Sequence, residues 1–187
     1  MKMKKTIQYT TAHTFDDLTQ ILSLQNENLP QNISPEELEN EGFVTVQHDL
    51  DLLSKIAGSY THAVAKFDGK VIGYALVMER ACSKDIPVLI PMFEQIDKII
   101  YNGKPLSDTR FFVMGQVCIK KGFRGQGLFK GLYEQLRQNM KSDFDYIITD
   151  ISIHNKRSLR AHEKIGFKPI QKYIHNGEEW VIVLLRI

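Results

Sequence analysis

The sequence predicts a single mixed α/β domain, and three observations point to it. The chain has 187 residues, a length that suits one sizeable hydrophobic core. Hydrophobic residues make up 43% of it and charged residues 25%, which is typical of a folded globular protein. Strand-like and helical segments alternate along the second half, as expected when helices cover a mixed sheet. We therefore expect one domain over residues 1–187.

Helical segments surround one hairpin in the first half of the chain. Asp68-Gly69 is a strong signal for a two-residue hairpin turn, and alternating segments lie on both sides of it. Ser34-Pro35 is typical of a helix start, because serine caps the first turn and proline is well tolerated there. We expect strands at 7–13, 62–67 and 71–78, and helices at 15–24, from Ser34 onward and at 50–56.

Residues 81–108 interrupt this order and are predicted to form an excursion between two strands. Pro87 and Pro91 punctuate an apolar stretch, and periodic apolar residues from Phe93 to Ile100 favour a short helix before the turn-like Asn102-Gly103. Long connections of this kind often act as lids or binding loops. Beyond the excursion we expect strands at 111–119, 146–153, 168–174 and 180–187, and helices at 128–140 and 158–165.

The charge balance and the cysteine usage exclude several classes of protein. The net charge is only +2 and no basic stripe is present, so we expect no nucleic-acid partner. The basic start is followed by polar residues rather than by a signal-peptide core, and no apolar run approaches membrane-spanning length. Cys82 and Cys118 lie far apart and the histidines are scattered, so we expect reduced thiols and no metal. A cytoplasmic protein without membrane association is the expectation.

The most informative segment is a basic, glycine-rich loop between a strand and a helix, Val117–Leu128 (VCIKKGFRGQGL). Glycine lets the backbone approach a ligand closely, and a helix start presents unpaired N–H groups, which together suit a phosphate. Lys120, Lys121, Arg124 and Lys130 would add positive charge around a polyanionic cofactor. A tight turn without a ligand is the alternative. The loop has neither the G-x-x-x-x-G-K-[ST] nor the G-x-G-x-x-G pattern, which argues against a P-loop enzyme and a dinucleotide site.

Two motifs in order resemble those of the GNAT acetyltransferase superfamily. Residues 124–129 (RGQGLF) resemble motif A, [RQ]-x-x-G-x-[GA], after the strand residues Val117-Cys118-Ile119. Residues 155–167 (NKRSLRAHEKIGF) resemble motif B, N-x-x-[AS]-x-x-x-[YH]-x-x-x-G-F. The resemblance covers residues 111–167 directly. It implies a GNAT-like acyl-CoA N-acyltransferase fold, with a central, mostly antiparallel, twisted sheet whose strands splay apart and are flanked by helices.

The same resemblance implies a function and a set of cofactor contacts. The family uses acetyl-CoA as a co-substrate and moves the acetyl group to a primary amine by direct attack in a ternary complex. The acceptor would be a small-molecule or peptide amine, and a homodimer is left open. The pantetheine arm is assigned to Val117, Cys118, Ile119, Asn155 and Ser158. The pyrophosphate is assigned to backbone N–H groups of Arg124, Gly125, Gln126, Gly127, Leu128 and Phe129.

Two positions depart from the family pattern. Phe129 stands where glycine or alanine is usual, and we expect its side chain to point into the core with Leu132 and Tyr133. His162 stands where a tyrosine is often proposed to protonate the leaving thiolate, and histidine, which titrates near neutrality, could do the same. The alternative is that His162 is only a helix residue that packs on the cofactor.

The general base is open. The strand that leads into motif A carries no carboxylate over residues 112–116, so Glu79 and Asp150 are the candidates, and either could instead be solvated or paired. A strand N–H near Val117 or Cys118 would hold the developing oxyanion. Cys118 could in principle be acylated, but a mid-strand cysteine among apolar residues is more typical of a core.

Two other functions fit the same resemblance. One is a sensor that binds an acyl-CoA without turnover. The other is a protein-interaction module with a degenerate cofactor site, for which Phe129 is the supporting feature. Binding of CoA and release of thiol that depends on an added amine distinguish the three.

Overall fold

A computed structural model describes residues 6–41, 43–57, 60–84 and 86–187. The helices are α1 (Phe15–Asn26), α2 (Pro35–Asn40), α3 (Leu50–Ala57), α4 (Ile90–Ile96), α5 (Leu128–Met140) and α6 (Lys156–Lys164). The strands are β1 (Gln8–Thr11), β2 (Ala63–Phe67), β3 (Lys70–Met78), β4 (Ile100–Tyr101), β5 (Lys104–Pro105), β6 (Phe111–Ile119), β7 (Tyr146–Ser152), β8 (Lys168–His175) and β9 (Glu178–Arg186). Short 3-10 turns lie between several of these elements.

The chain forms two compact units, each built from two segments. The first contains residues up to Val77 together with Gly115–Asn139, and its strand order is β1-β2-β3-β6. The second contains Met78–Met114 together with Met140–Ile187, and its strand order is β6-β7-β9-β8. The seven strands make a mostly antiparallel sheet, and the short β4–β5 pair stands apart from it. The predicted mixed α/β class is confirmed, while the splaying of the strands and the single-domain assignment stay predictions.

In the first unit, the local sequence signals form the elements they predict. The predicted hairpin joins β2 and β3, and its turn residues Asp68 and Gly69 both have positive φ, at 54° and 75°. Thr14 caps α1 and Ser34 caps α2, each within a complete capping box. Helix α5 buries the apolar face that the sequence predicts, which in this unit comprises Leu128, Leu132, Tyr133 and Leu136.

Strands β3 and β6 of the first unit approach closely at a glycine. A Cβ added at Gly73 would lie 3.3 Å from the carbonyl oxygen of Cys118, which is tighter than ordinary contact. Beside this contact, the Lys120 N–H, just after the end of β6, donates a hydrogen bond of 2.8 Å to the Ile72 carbonyl of β3. Strand β3 therefore fixes the point at which β6 ends and the glycine-rich loop begins.

In the second unit, β7 lies between a parallel and an antiparallel neighbour. The first residues of β6 pair in parallel with β7, with Phe111 opposite Tyr146, and β7 pairs antiparallel with β9 along its whole length. Strands β8 and β9 form a hairpin around Asn176 and Gly177, which have φ of 51° and 78°. This is the turn geometry that Asn-Gly favours.

The predicted excursion belongs to the second unit and is more structured than the sequence suggested. Helix α4 ends at Ile96, so the prediction of a helix that continues to Ile100 is wrong. Asn102 and Gly103 both have positive φ and form a two-residue hairpin turn that pairs Tyr101 with Lys104. Because that turn needs extended residues on both sides, its chemistry overrides the helical spacing of the apolar residues before it.

Candidate functional site

The glycine-rich loop has the backbone geometry of a ligand cradle. Gly125 and Gly127 have φ of 76° and 84°, in the left-handed region that glycine tolerates without steric cost. A Cβ added at either position would meet no atom within 4 Å, so open space lies beside the main chain at both. Helix α5 begins at Leu128, directly after this loop. The loop therefore presents accessible backbone at a helix start, which fits a phosphate group.

The side-chain charges of the loop are already neutralised inside the first unit. Three of these cations pair with carboxylates of the residue after α1, of α2 and of the residue after α2, and a fourth pairs along α5. These pairs are Lys120–Glu27 at 3.0 Å, Lys121–Glu37, Arg124–Glu41 at 2.7 Å and Lys130–Glu134 at 3.5 Å. The sequence predicted these cations as charge for a cofactor, and in this structure each has a carboxylate beside it.

The Arg124 side chain connects the loop to the residues that follow α1 and α2. Its side chain is only 15% exposed, and its guanidinium donates to the Ile119 carbonyl at 3.1 Å and to Asn28 Oδ1 at 2.5 Å, besides pairing with Glu41. Asn28 in turn donates to the Leu24 carbonyl at 2.8 Å. The side chain of Arg124 therefore shapes the loop, which is compatible with recognition of a phosphate through the backbone.

The bulky residue in motif A packs along its own helix. The rings of Phe129 and Tyr133 lie 5.0 Å apart at an interplanar angle of 50°. Tyr133 and the neighbouring Leu132 are buried. Phe129 packs on Tyr133 and keeps part of its surface exposed, so the expectation that it points into the core with Leu132 stays a prediction.

Strand β6 alternates across its motif A residues. Cys118 is buried, whereas Val117 and Ile119 on the other face are partly exposed. Burial raises the pKa of the Cys118 thiol to about 12, although Arg124 lowers it somewhat. A thiol with that pKa holds little of the thiolate that acylation requires at neutral pH, which supports a packing role.

A buried polar network crosses the first unit beside this strand, and no sequence pattern predicts it. Gln116 of β6 accepts hydrogen bonds from the Tyr74 hydroxyl at 2.6 Å and from Gln25 Nε2 at 2.8 Å. Gln25 also contacts His48 Nδ1 at 2.7 Å. The members come from α1, β3, β6 and the stretch before α3, so only the tertiary fold brings them together.

The motif B residues form the start of α6 in the second unit. The side chain of Asn155 accepts a hydrogen bond of 3.1 Å from the Ser158 N–H and so caps the helix. The Ser158 hydroxyl lies 3.3 Å from His162 Nδ1, one helical turn further on. Both residues predicted to border the pantetheine therefore have a local structural role as well.

His162 is buried and neutral. Its surface is only 1% exposed, its ring meets Phe167 edge-on with centroids 5.0 Å apart, and burial lowers its pKa to about 4. Nδ1 lies 2.8 Å from the Ser158 carbonyl oxygen, which can only accept, so Nδ1 carries the ring proton. In this tautomer Nε2 has no proton to donate.

The two candidate bases have different surroundings in the second unit. Asp150 on β7 accepts a hydrogen bond from the Tyr173 hydroxyl of β8, and burial raises the pKa of its carboxyl group. Burial and the neighbouring Asp150 raise the pKa of Tyr173 in turn. Glu79 follows β3 and is partly exposed, and its backbone carbonyl accepts from the Cys82 N–H at 2.9 Å. The sequence identified Asp150 but not its tyrosine partner.

The described part of the chain has neither a cluster of potential metal ligands nor a helix that could span a membrane. No cluster of three or more histidine, cysteine, aspartate or glutamate side chains there could hold a metal ion. None of the helices described has the length and apolar character needed to cross a membrane.

Comparison with solved structures supports the same fold. The ribosomal-protein-S18-alanine N-acetyltransferase from Escherichia coli matches with a TM-score of 0.63 at 13% identity, over 97% of this chain and 94% of that one. The Salmonella typhimurium protein yncA, solved with acetyl-CoA, matches with a TM-score of 0.61 at 15% identity, over 96% and 93%. The NatC complex bound to Gag peptide and CoA matches with a TM-score of 0.63 at 13% identity, over 97% and 98%. Identities this low show the fold alone.

The family assignment rests on the sequence itself. No curated protein sequence matches this chain. The sequence model of the acetyltransferase (GNAT) family, however, matches residues 18–167, which include the glycine-rich loop, β7 and the motif B helix. The chain belongs to the acetyltransferase (GNAT) family.

Proposed function

We propose that this protein transfers an acetyl group from acetyl-CoA to a primary amine by direct attack in a ternary complex. The observation that carries the proposal is the loop before α5, where Gly125 and Gly127 have positive φ and open space beside the main chain. Because the loop cations are paired, we propose that main-chain N–H groups of residues 124–129 and the start of α5 hold the diphosphate. Val117, Cys118 and Ile119, with Asn155 and Ser158, are proposed contacts of the pantetheine arm.

Binding of CoA to glycine variants tests this proposal. Gly125→Ala and Gly127→Ala put a methyl group beside the loop and strain the backbone, so CoA affinity measured by calorimetry is expected to fall at least about tenfold. Gly69→Ala is the matched control, because Gly69 has φ of 75° and equally open space but lies in the β2–β3 turn. Unchanged affinity in both loop variants, or no binding by the unmodified protein, would refute the proposal.

Asp150 is the better supported of the two candidate bases. Its raised pKa brings its carboxyl group closer to the operating pH, where a general base is most effective, and the Tyr173 hydroxyl orients it. We propose that Asp150 accepts the amine proton, directly or through water, and that a β6 N–H near Val117 or Cys118 stabilises the oxyanion. Asp150→Asn is expected to lower kcat by about a hundredfold or more, whereas Glu79→Gln is expected to leave it within about threefold.

For His162 we propose the packing role. Its depressed pKa and its Nδ1–H tautomer leave no proton on Nε2 for a leaving thiolate. His162→Phe, which keeps a planar ring beside Phe167, is then expected to change turnover less than about threefold. A loss of about tenfold or more would restore His162 as the general acid.

A non-catalytic acyl-CoA sensor is the second candidate, and the tautomer of His162 is the observation that favours it. Release of free thiol from acetyl-CoA on addition of an amine separates the two functions. Because the Escherichia coli relative is named for a ribosomal-protein alanine and NatC was solved with a peptide, short peptides are the first amines to test. The cytoplasmic location and the homodimer stay predictions.

A further inference from the structure

Among the residues that the structure describes, two buried side-chain nitrogens of the first unit have no hydrogen-bond partner, Nδ2 of Asn139 in α5 and Nε2 of His48. His48 is only 4% exposed and lies in residues 43–49, an irregular stretch between α2 and α3. Within the part of the chain that the structure describes, its Nε2 is buried and has no partner. Buried polar groups are nearly always satisfied, so such an atom calls for an explanation.

The surrounding network fixes which nitrogen of His48 carries the proton. Gln25 Oε1 accepts from the His48 backbone N–H at 2.8 Å, which sets the orientation of that amide. The amide nitrogen of Gln25 then donates to Gln116 Oε1 at 2.8 Å and to His48 Nδ1 at 2.7 Å. The other end of Gln116 donates to the Val46 carbonyl at 2.7 Å, so its orientation is fixed too. Since Nδ1 accepts, Nε2 of His48 carries the proton and is a donor.

His62 shows that burial alone does not leave such a donor unused. It lies in the same unit and is fully buried, and burial lowers its pKa to about 4, the same value as for His48. Its Nδ1 accepts from the Val77 N–H at 3.1 Å, and its Nε2 lies 3.4 Å from the Leu53 carbonyl. Both ring nitrogens of His62 are therefore used inside the fold, whereas one nitrogen of His48 is not.

We propose that the Nε2–H of His48 is a subsite for a neutral carbonyl oxygen of the acyl acceptor, so that the preferred acceptors are amines bearing an amide carbonyl. This inference rests on the proposed acetyl transfer. The network ties the subsite to Gln116, which directly precedes the strand residues proposed to hold the pantetheine arm. The donor is uncharged and buried, so a free carboxylate would have to leave water there without a counter-ion, and a neutral carbonyl costs less to bury.

A ligand reaches this donor only when residues 43–49 shift, because Nε2 is buried in the present conformation. No helix or strand ladder holds that stretch. It is held instead by the hydrogen bonds of Val46 and His48 to the two glutamines and by a longer one from the Val44 N–H to the Asn28 carbonyl at 3.3 Å, so a shift must break some of these. A new hydrogen bond to Nε2–H would offset part of the cost of the shift, since the unpaired donor already destabilises the closed state.

Imidazole NMR of the ¹⁵N-labelled protein tests the proposal without turnover. The protein is saturated with CoA, which carries no acyl group, and three probes are added separately: L-alaninamide, L-alanine and isopropylamine. All three are small primary amines. L-alaninamide also carries a neutral carbonyl, L-alanine carries a carboxylate, and isopropylamine carries neither group. Each is titrated to about 50 mM, because fragments of this size bind in the millimolar range. His62 is the internal control, and the His48→Phe protein assigns the His48 signals.

We expect His48 to be in the Nε2–H form. Its ring signals should shift on titration with L-alaninamide until they saturate, and this shift should be at least about fivefold larger than the shift with either of the other probes. The His62 signals should stay in place. No His48 shift, equal shifts with isopropylamine, or a water cross-peak at Nε2–H that persists with L-alaninamide would overturn it. The amide signals of Gly125 and Gly127 report CoA binding in the same sample. If they respond and His48 does not, only this subsite fails; if they do not respond, the proposed function fails.

Discussion

Acid should destabilise this protein well above the pH at which its carboxylates titrate, because three buried histidines resist protonation in the folded state. His48, His62 and His162 each have a pKa lowered by burial from 6.5 to about 4. The unfolded chain therefore binds more protons than the folded chain between these two values. Their contribution to stability is complete above pH 6.5 and is lost as the pH falls toward 4.

The size of the effect follows from the shifts. Each histidine with a folded pKa near 4 and an unfolded pKa of 6.5 loses about 2 kcal/mol of stabilisation between pH 7 and pH 5. The three together then remove about 5 kcal/mol, which is comparable with the whole unfolding free energy of a typical domain. Asp150 acts in the opposite direction, since its raised pKa favours the folded state as acid is added, and it offsets a part of this loss.

Urea unfolding at pH 7, 6 and 5 measures the effect, because urea adds no charge. Far-UV circular dichroism and the fluorescence of Trp180, the single tryptophan, follow the transition. His162→Phe should reduce the loss between pH 7 and pH 5 by about a third. An unfolding free energy that changes by less than about 1 kcal/mol over this range would refute the buried neutral histidines.

Three further outcomes follow from contacts within the first unit. Gly131→Ala puts a Cβ within 2.2 Å of the Tyr9 ring and should lower the free energy of unfolding by about 1 kcal/mol. In a Tyr9→Ala background the clash is gone, so the same substitution should raise the free energy of unfolding in urea by about 0.5–1 kcal/mol through helix propensity. Lys66 Nζ lies 2.6 Å from Asp17 Oδ1, and Asp17 is only 3% exposed. Lys66→Met leaves this buried carboxylate without its cation and should lower the stability measured by thermal unfolding at pH 7 by about 2 kcal/mol. An unchanged stability would contradict the pairing. Iodoacetamide at neutral pH should leave Cys118 unmodified by mass spectrometry until urea is added, and an adduct in the folded protein would contradict its burial.

The elements that the sequence predicts best are those that local chemistry determines. Strand β6 and helix α5 have the predicted bounds, because a continuous apolar strand, a glycine-rich loop and a strong helical face follow one another without ambiguity. Asp68-Gly69 and Ser34-Pro35 likewise act over a few residues. The end of α4 was missed because periodic isoleucines and an Asn-Gly turn gave opposite local signals, and the turn was the stronger constraint.

The environment of each candidate site residue could not be predicted, because it depends on partners far away in the chain. The position of His162 in the GNAT-like motif B makes it a candidate acid, yet its pKa is set by burial and its tautomer by the Ser158 carbonyl. The raised pKa of Asp150 and its contact with Tyr173 arise because β7 and β8 both flank β9 in the sheet. Residue identity therefore nominates a catalytic group, and only tertiary contacts decide its protonation state.

The same reasoning applies to the charge of the glycine-rich loop. Its sequence is strongly basic, and a basic loop before a helix predicts attraction of a polyanion. Lys120 and Arg124, however, pair with Glu27 and Glu41, so their long-range fields largely cancel. Main-chain N–H groups have no such counter-ions, and their direction is set by the left-handed glycines rather than by charge. Recognition of a diphosphate at this loop would thus depend on the position of the backbone and not on the side chains. A bulky residue at position 129 is compatible with such recognition because the Phe129 ring packs on Tyr133.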